Sequence, residues 1–116
     1  MSTTLASLTQ ALRDFAAARD WTQFHSPKNL AAALSVEAAE LLEHFQWLTE
    51  AQSRNLSAQK TDEVAAEAAD VLLYLLQLCD QLGIDLLEAA RLKMLVNGEK
   101  HPAAAACGAS KKPAAD

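Results

Sequence analysis

Between Val64 and Cys79 the chain runs for 16 residues with only two charges, Glu67 and Asp70. No other feature constrains the fold as tightly. Wound at 3.6 residues per turn, the stretch is apolar on nearly every side, which is the mark of a buried helix. At least one of the two acids is therefore expected to be largely buried. An ionised carboxylate taken out of water is costly unless a countercharge accompanies it. No Lys or Arg lies within a turn of either acid on this segment.

An earlier segment breaks its own pattern in the same way. Leu30, Leu34, Glu37, Leu41 and Phe45 form one helical stripe, so Glu37 occupies a position where an apolar residue is expected. Glu40 follows three residues later and projects from nearly the same face. The nearest base on this segment is Lys28. Two pairs of acids on neighbouring helices, without local cations, call for an external one. A donor set made only of oxygen favours a hard divalent ion, Mg²⁺ or Mn²⁺. A single Glu-x-x-Glu is ordinarily a solvated face, and Glu43 and Glu50 read that way; Asp70 alone would read as a paired core acid. The metal reading comes from two pairs that each interrupt an apolar stripe. A di-iron carboxylate bundle would place His three residues after Glu. Here His44 follows Glu40 by four and no second such pair exists, which counts against iron.

Apolar spacing predicts four helical segments: about Thr4 to Arg19, Pro27 to about Thr49, a third from the N-cap Ser57 to Leu82 that stops at Gly83, and Asp85 to about Val96 closed by Asn97-Gly98. Residues 50–56 read as a loop or at most one helical turn. Short connections favour antiparallel neighbours, hence an all-α fold of four-helix-bundle type. With 116 residues there is room for one domain, expected over 1–102. Residues 103–116, Ala-rich and without a periodic face, are expected as a disordered tail. Apolar residues are 51% of the chain but aromatics only 5%, so the core must be built mainly from Leu, Val and Ala. Small helical domains often complete such a core by pairing with a copy of themselves.

The net charge of −5 argues against a protein that coats a nucleic-acid polymer. Cys79 sits in the most apolar stretch and Cys107 in the tail, with no C-x-x-C, so neither a disulfide framework nor a thiolate metal site is expected. The N-terminus has no basic patch followed by an apolar run, and the longest apolar run, Val71–Leu76, is far short of a membrane span. A soluble, cytoplasmic protein is the expectation.

The aromatic residues cluster. Trp21, Phe24 and His25 fall in the first connection, Phe45 and Trp47 end the second helical segment, and Tyr74 lies one turn beyond Asp70. Trp, His and Tyr beside a metal could stack on and hydrogen-bond a nucleobase while the metal takes phosphates. Alternatively, Trp21 and Trp47 only plug the ends of a bundle. Lys93, Asn97 and Lys100 share one side of the last helical segment, where they offer groups for phosphate oxygens or a solvated basic face.

The strings EAAE (Glu37, Glu40) and EAAD (Glu67, Asp70), with 26 residues between them, match the pattern Glu-x-x-Glu … Glu-x-x-Asp. With FAAARDWTQFHSPKNLAAAL, EAAELLEHFQW, DVLLYLLQL and KMLVNGEKHP around them, they resemble the all-α MazG-like nucleoside triphosphate pyrophosphohydrolases, most closely the dCTP pyrophosphatase branch. The similarity covers roughly residues 5–102. It implies hydrolysis of a (deoxy)nucleoside triphosphate to monophosphate and pyrophosphate. It also implies Mg²⁺ held by Glu37, Glu40, Glu67 and Asp70, and a base and sugar pocket from Trp21 to His25 and Trp47, with Tyr74 nearby. Lys93 and Asn97 would face the phosphates, and the chain would assemble as a dimer or a dimer of dimers. Glu99 departs from the family, where Arg or Lys often follows the Asn of the K-M-x-x-N string.

The chemistry expected at such a site is in-line attack of water on the α-phosphorus with pyrophosphate leaving. Two or three Mg²⁺ would neutralise the triphosphate, and one of the four acids would orient or deprotonate the water. The substrate is expected to be dCTP or a modified dCTP, in nucleotide-pool housekeeping. Two other readings stand beside this one: a metal hydrolase acting on a different pyrophosphate compound, and a non-enzymatic acidic helical interaction module.

Overall fold

The computed structural model describes residues 2–103, and these are helical with no strand. Helix α1 spans Leu5–Ala18, a 3₁₀ turn Thr22–Phe24, α2 Pro27–Glu43, α3 Glu50–Ser53, α4 Ala58–Gln81 and α5 Leu86–Lys100. The residues of the expected tail beyond 103 lie outside the described residues.

Each start is written in a short polar side chain. Thr4 and Ser7 form a capping box, the Ser7 amide donating to Thr4 Oγ1 at 3.0 Å and the Thr4 amide to Ser7 Oγ at 2.8 Å. Ser26 caps α2 by accepting from the Asn29 amide at 3.1 Å, with Pro27 in the first turn. Ser57 and Asp85 cap α4 and α5 in the same way.

Two ends use a left-handed residue. At Gly83 (φ 66°) the Ile84 amide reaches back to the Cys79 carbonyl at 2.8 Å and the Gly83 amide to Asp80 at 3.2 Å. This double closure satisfies carbonyls that the helix would otherwise leave bare. The end of α1 repeats the pattern with Asp20 (φ 55°) in the glycine's place, the Trp21 amide donating to the Ala16 carbonyl at 2.9 Å. That closure delivers Trp21 back toward the helix it has just left.

Two boundaries differ from the spacing-based expectation. Helix α2 stops at Glu43 rather than near Thr49. There the bonding tightens to three-residue steps, with Phe45 donating to Leu42 at 2.8 Å and Leu48 to Phe45 at 2.9 Å. Thr49, in a capping box with Gln52, then opens the one-turn α3. Helix α5 runs through Asn97-Gly98 to Lys100, with the His101 amide donating to the Asn97 carbonyl at 2.9 Å. Gly98 takes no left-handed conformation and so does not end the helix.

The chain divides into two compact units, one ending at Ile84 and one beginning at Asp85. In the first, α2 packs along α4, and α1 packs on α4. Ala16, Leu30, Leu76 and Cys79 are buried. The Arg13 guanidinium grips the Asp80 carboxylate through both nitrogens, Nε at 2.8 Å, and joins α1 to α4. The expectation of a helix buried on every side is corrected in its first half, where Ala65, Ala66, Ala68 and Ala69 of α4 are exposed. Alanine counts as apolar in a pattern but has little surface to bury, so leaving it exposed costs little. Among the described residues of the second unit, α5 leaves Leu87, Leu92, Met94, Leu95 and Val96 exposed. No described helix is long and apolar enough to cross a membrane.

Candidate metal centre and aromatic cavity

Helices α2 and α4 pack along each other, and the acids that interrupt their stripes meet at the contact. Glu37, Glu67 and Asp70 each bring a carboxylate oxygen to within 4.8 Å of the other two. Glu37 and Glu67 are half-buried, and Asp70 is exposed. Neither acid is fully buried, but one oxygen of each, Glu37 Oε2 and Glu67 Oε2, is sealed from solvent and has no hydrogen-bond partner. A buried acceptor left unpaired costs free energy comparable to a lost hydrogen bond, and more when charged. A divalent cation would supply the countercharge these carboxylates lack, and an all-carboxylate donor set suits Mg²⁺ or Mn²⁺. The residues present therefore fit a hard metal ion.

The electrostatics agree. The Glu37 carboxyl is pushed up to about 7 by burial first, then by hydrogen bonding to and repulsion from Glu40, with smaller effects of Asp70 and Glu67. Crowded acids that cannot all ionise are held in a state that a cation would reverse. Glu40 lies outside the three-oxygen set but close enough to raise Glu37. Sequence spacing had grouped all four acids equally.

Asp70 also borders a cavity of about 180 Å³. Its walls are Leu12, Phe15 and Ala16 of α1, Trp21 and His25 of the first connection, and Leu73, Tyr74 and Gln77 of α4. The aromatic wall is braced edge to face. Phe15 and Trp21 lie 5.6 Å apart between ring centres at 64°, and Trp21 and His25 6.4 Å apart at 61°. The Arg19 guanidinium sits 3.4 Å over the Phe15 ring. Asn29 Nδ2 donates to the Phe24 carbonyl at 2.9 Å and pins the connection to the start of α2.

Of the aromatics expected in the pocket, Trp21, His25 and Tyr74 line the cavity with Asp70. Phe24 and Trp47 do not; their side chains are 60% and 87% exposed. Trp47 lies beyond the early end of α2. Lys93 and Asn97 lie four residues apart on one side of α5, in the second unit. Leu12, Phe15 and Gln77 were not singled out from the sequence. Gln77 had a legible signal, since it stands at the seventh position after Asp70 on the same face of α4.

Comparison with known proteins agrees with this architecture. The family model described as the MazG-like family matches residues 32–113. The chain is 39% identical over 111 residues to human dCTP pyrophosphatase 1, covering 94% of this chain and 65% of that protein. It is 40% identical over 101 residues to the rat protein of the same name, covering 85% and 59%. The chain thus spans less than two thirds of the length of these relatives. A crystal structure of a pyrophosphatase from Archaeoglobus fulgidus DSM 4304 superposes with a TM-score of 0.81 at 42% identity, covering 88% of this chain and 95% of that one.

Proposed function

The chain belongs to the MazG-like family, and from that premise we propose that it is a divalent-metal-dependent nucleoside triphosphate pyrophosphohydrolase. Its substrate on this reading is dCTP or a base-modified dCTP, after the activity named for its relatives. One observation carries the proposal. The carboxylates of Glu37 and Glu67, each with one sealed and unpartnered oxygen, converge from neighbouring helices with Asp70, which also borders the cavity lined by Trp21, His25 and Tyr74.

Glu37, Glu67 and Asp70 hold the ion, with Glu40 beside them. When bound, the ion supplies neutralisation of the triphosphate and a more acidic water. The chain's own residues do the rest. Trp21 and Tyr74 flank the base, and His25 offers a ring nitrogen to its edge or to the sugar. An acid only partly used as a ligand orients the water toward the α-phosphorus and takes its proton, and Glu40, outside the three-oxygen set, is our candidate for that role. The product pair is the nucleoside monophosphate and pyrophosphate.

A homo-oligomer is part of the proposal. Val36 and Leu42 on α2 and Trp47 just beyond it are large apolar side chains exposed in the single chain, which a second copy could cover. Light scattering coupled to gel filtration tests this, and a monomer at micromolar concentration would refute it.

The activity is tested by pyrophosphate release from natural and base-modified nucleoside triphosphates, with Mg²⁺ and with EDTA. Release that needs metal and favours dCTP or a modified dCTP is the expected result. No release from any nucleotide, together with a melting temperature indifferent to Mg²⁺, would leave an acidic interaction module instead.

A further inference from the structure

We propose that Gln77 is the specificity-determining residue of the aromatic cavity: its side-chain oxygen accepts from the exocyclic amine of a pyrimidine and so selects cytosine over uracil and thymine. The inference rests on reading the cavity as the base pocket of a nucleotide hydrolase.

Size comes first. About 180 Å³ is below the roughly 300–1,000 Å³ of pockets that enclose a whole drug-sized ligand. The cavity takes one part of a nucleotide, and a single pyrimidine ring suits it better than a purine. Position comes second. Asp70, Tyr74 and Gln77 stand at i, i+4 and i+7 on α4, so Gln77 lies about 10 Å along the helix axis from the metal-binding acid. A nucleotide with its phosphates at the acids lays its base along this stripe, past Tyr74 and toward Gln77.

Chemistry decides between bases. Five side chains with polar atoms line the cavity, Trp21, His25, Asp70, Tyr74 and Gln77, and the Trp21 indole only donates, so it offers nothing to an exocyclic amine. Asp70 belongs to the acid cluster. A neutral imidazole and a phenol can each donate or accept by moving a proton, so His25 and Tyr74 tolerate either an amine or a carbonyl on the base. A free carboxamide would be equally tolerant, because it can turn over. Gln77 is not free. Its Nε2 donates to the Leu73 carbonyl at 3.2 Å. Turning the amide over would break that bond and set Oε1 against the carbonyl oxygen, two acceptors face to face. That bond uses one of the two Nε2 hydrogens and holds the amide in one orientation, with Oε1 as the acceptor it turns to the base. Cytosine presents a donor at its exocyclic amine; uracil and thymine present an oxygen at the same position. In a half-buried site, acceptor against acceptor leaves both unpaired, which penalises the wrong base as well as rewarding the right one.

The test compares kcat/KM for dCTP and dUTP, measured by Mg²⁺-dependent pyrophosphate release, in the wild type and in Gln77→Met, which keeps the length of the side chain and removes the acceptor. The preference for dCTP should fall by about tenfold, the weight of one hydrogen bond to a half-buried group. A substrate-side measurement needs no variant. A dCTP analogue with hydrogen in place of the exocyclic amine should lose a similar factor in the wild type and lose nothing further in Gln77→Met, closing a double-mutant cycle. A variant that slows both nucleotides equally, with the dCTP to dUTP ratio unchanged, would make Gln77 merely structural and overturn the inference. A wild type indifferent to the missing amine would do the same. Both results leave pyrophosphohydrolase activity intact, whereas a wild type that releases pyrophosphate from no nucleotide overturns the reading of the site and this inference with it.

Discussion

Glu37 is where the physics of the site is most exposed to measurement. In the unfolded chain its carboxyl titrates near 4.5, and in the folded chain burial and its acidic neighbours push it up to about 7. Between those values the folded state binds more protons than the unfolded state. Stability contributed at this group is therefore present at low pH and lost as pH rises through the window. In EDTA the melting temperature should fall from pH 4.5 to about 7, and saturating Mg²⁺ should flatten that slope, because the ion replaces the proton. A metal-free slope of opposite sign would place another group in control. Glu67→Gln belongs to the same scale. It keeps the shape and removes one charge from a crowded set, so the metal-free fold should be unharmed or slightly more stable while Mg²⁺-dependent turnover disappears. Circular dichroism and pyrophosphate release on the same preparation check the two halves.

At the scale of the element, the two described glycines do opposite things in helices that look alike in sequence. Gly83 ends α4 at φ 66° with open space where a side chain would sit. Gly83→Ala should therefore cost about 1 kcal/mol for conformation alone. Gly98 lies inside α5 with nothing within 4 Å of an added methyl, so Gly98→Ala should raise stability by about 0.5–1 kcal/mol. Denaturant midpoints of the two variants, read against the wild type, should move in opposite directions. The starts of α2, α4 and α5 were legible because Ser26, Ser57 and Asp85 carry their caps in their own side chains. The end of α1 near Arg19 was read correctly, but not its left-handed closure, since Asp20 takes a conformation that sequence assigns first to glycine. The end of α2 was misjudged because its apolar stripe continues to Leu48, while the backbone gives way to the new helix that Thr49 and Gln52 cap.

For the molecule as a whole, the small set of buried side chains sets the sensitivity. Leu30 is 1% exposed, and Leu30→Ala should cost about 2–5 kcal/mol, a large share of the roughly 5–15 kcal/mol that holds a domain together. Ligand binding pushes the other way. Mg²⁺ with a non-hydrolysable dCTP analogue at one hundred times its Kd should stabilise the fold by about 2.7 kcal/mol by mass action, visible as a rise in melting temperature. An analogue that binds by calorimetry yet leaves the melting temperature unmoved would mean that the unfolded chain binds it too.

Glu37, Glu40, Glu67 and Asp70 were visible from the chain alone, because a charge inside an apolar stripe is a local contradiction that spacing reveals. The helical class and the caps were visible for the same reason: each depends on residues within a few positions of one another. What spacing cannot supply is distance across helices. Only the packing of α2 on α4 draws Glu37, Glu67 and Asp70 within 4.8 Å of one another and leaves Glu40 outside that set. Only the turn at Asp20 carries Trp21 back to α4 beside Tyr74, while the early end of α2 leaves Trp47 in solvent. Periodicity assigns a residue to a face, and the tertiary structure decides what that face meets.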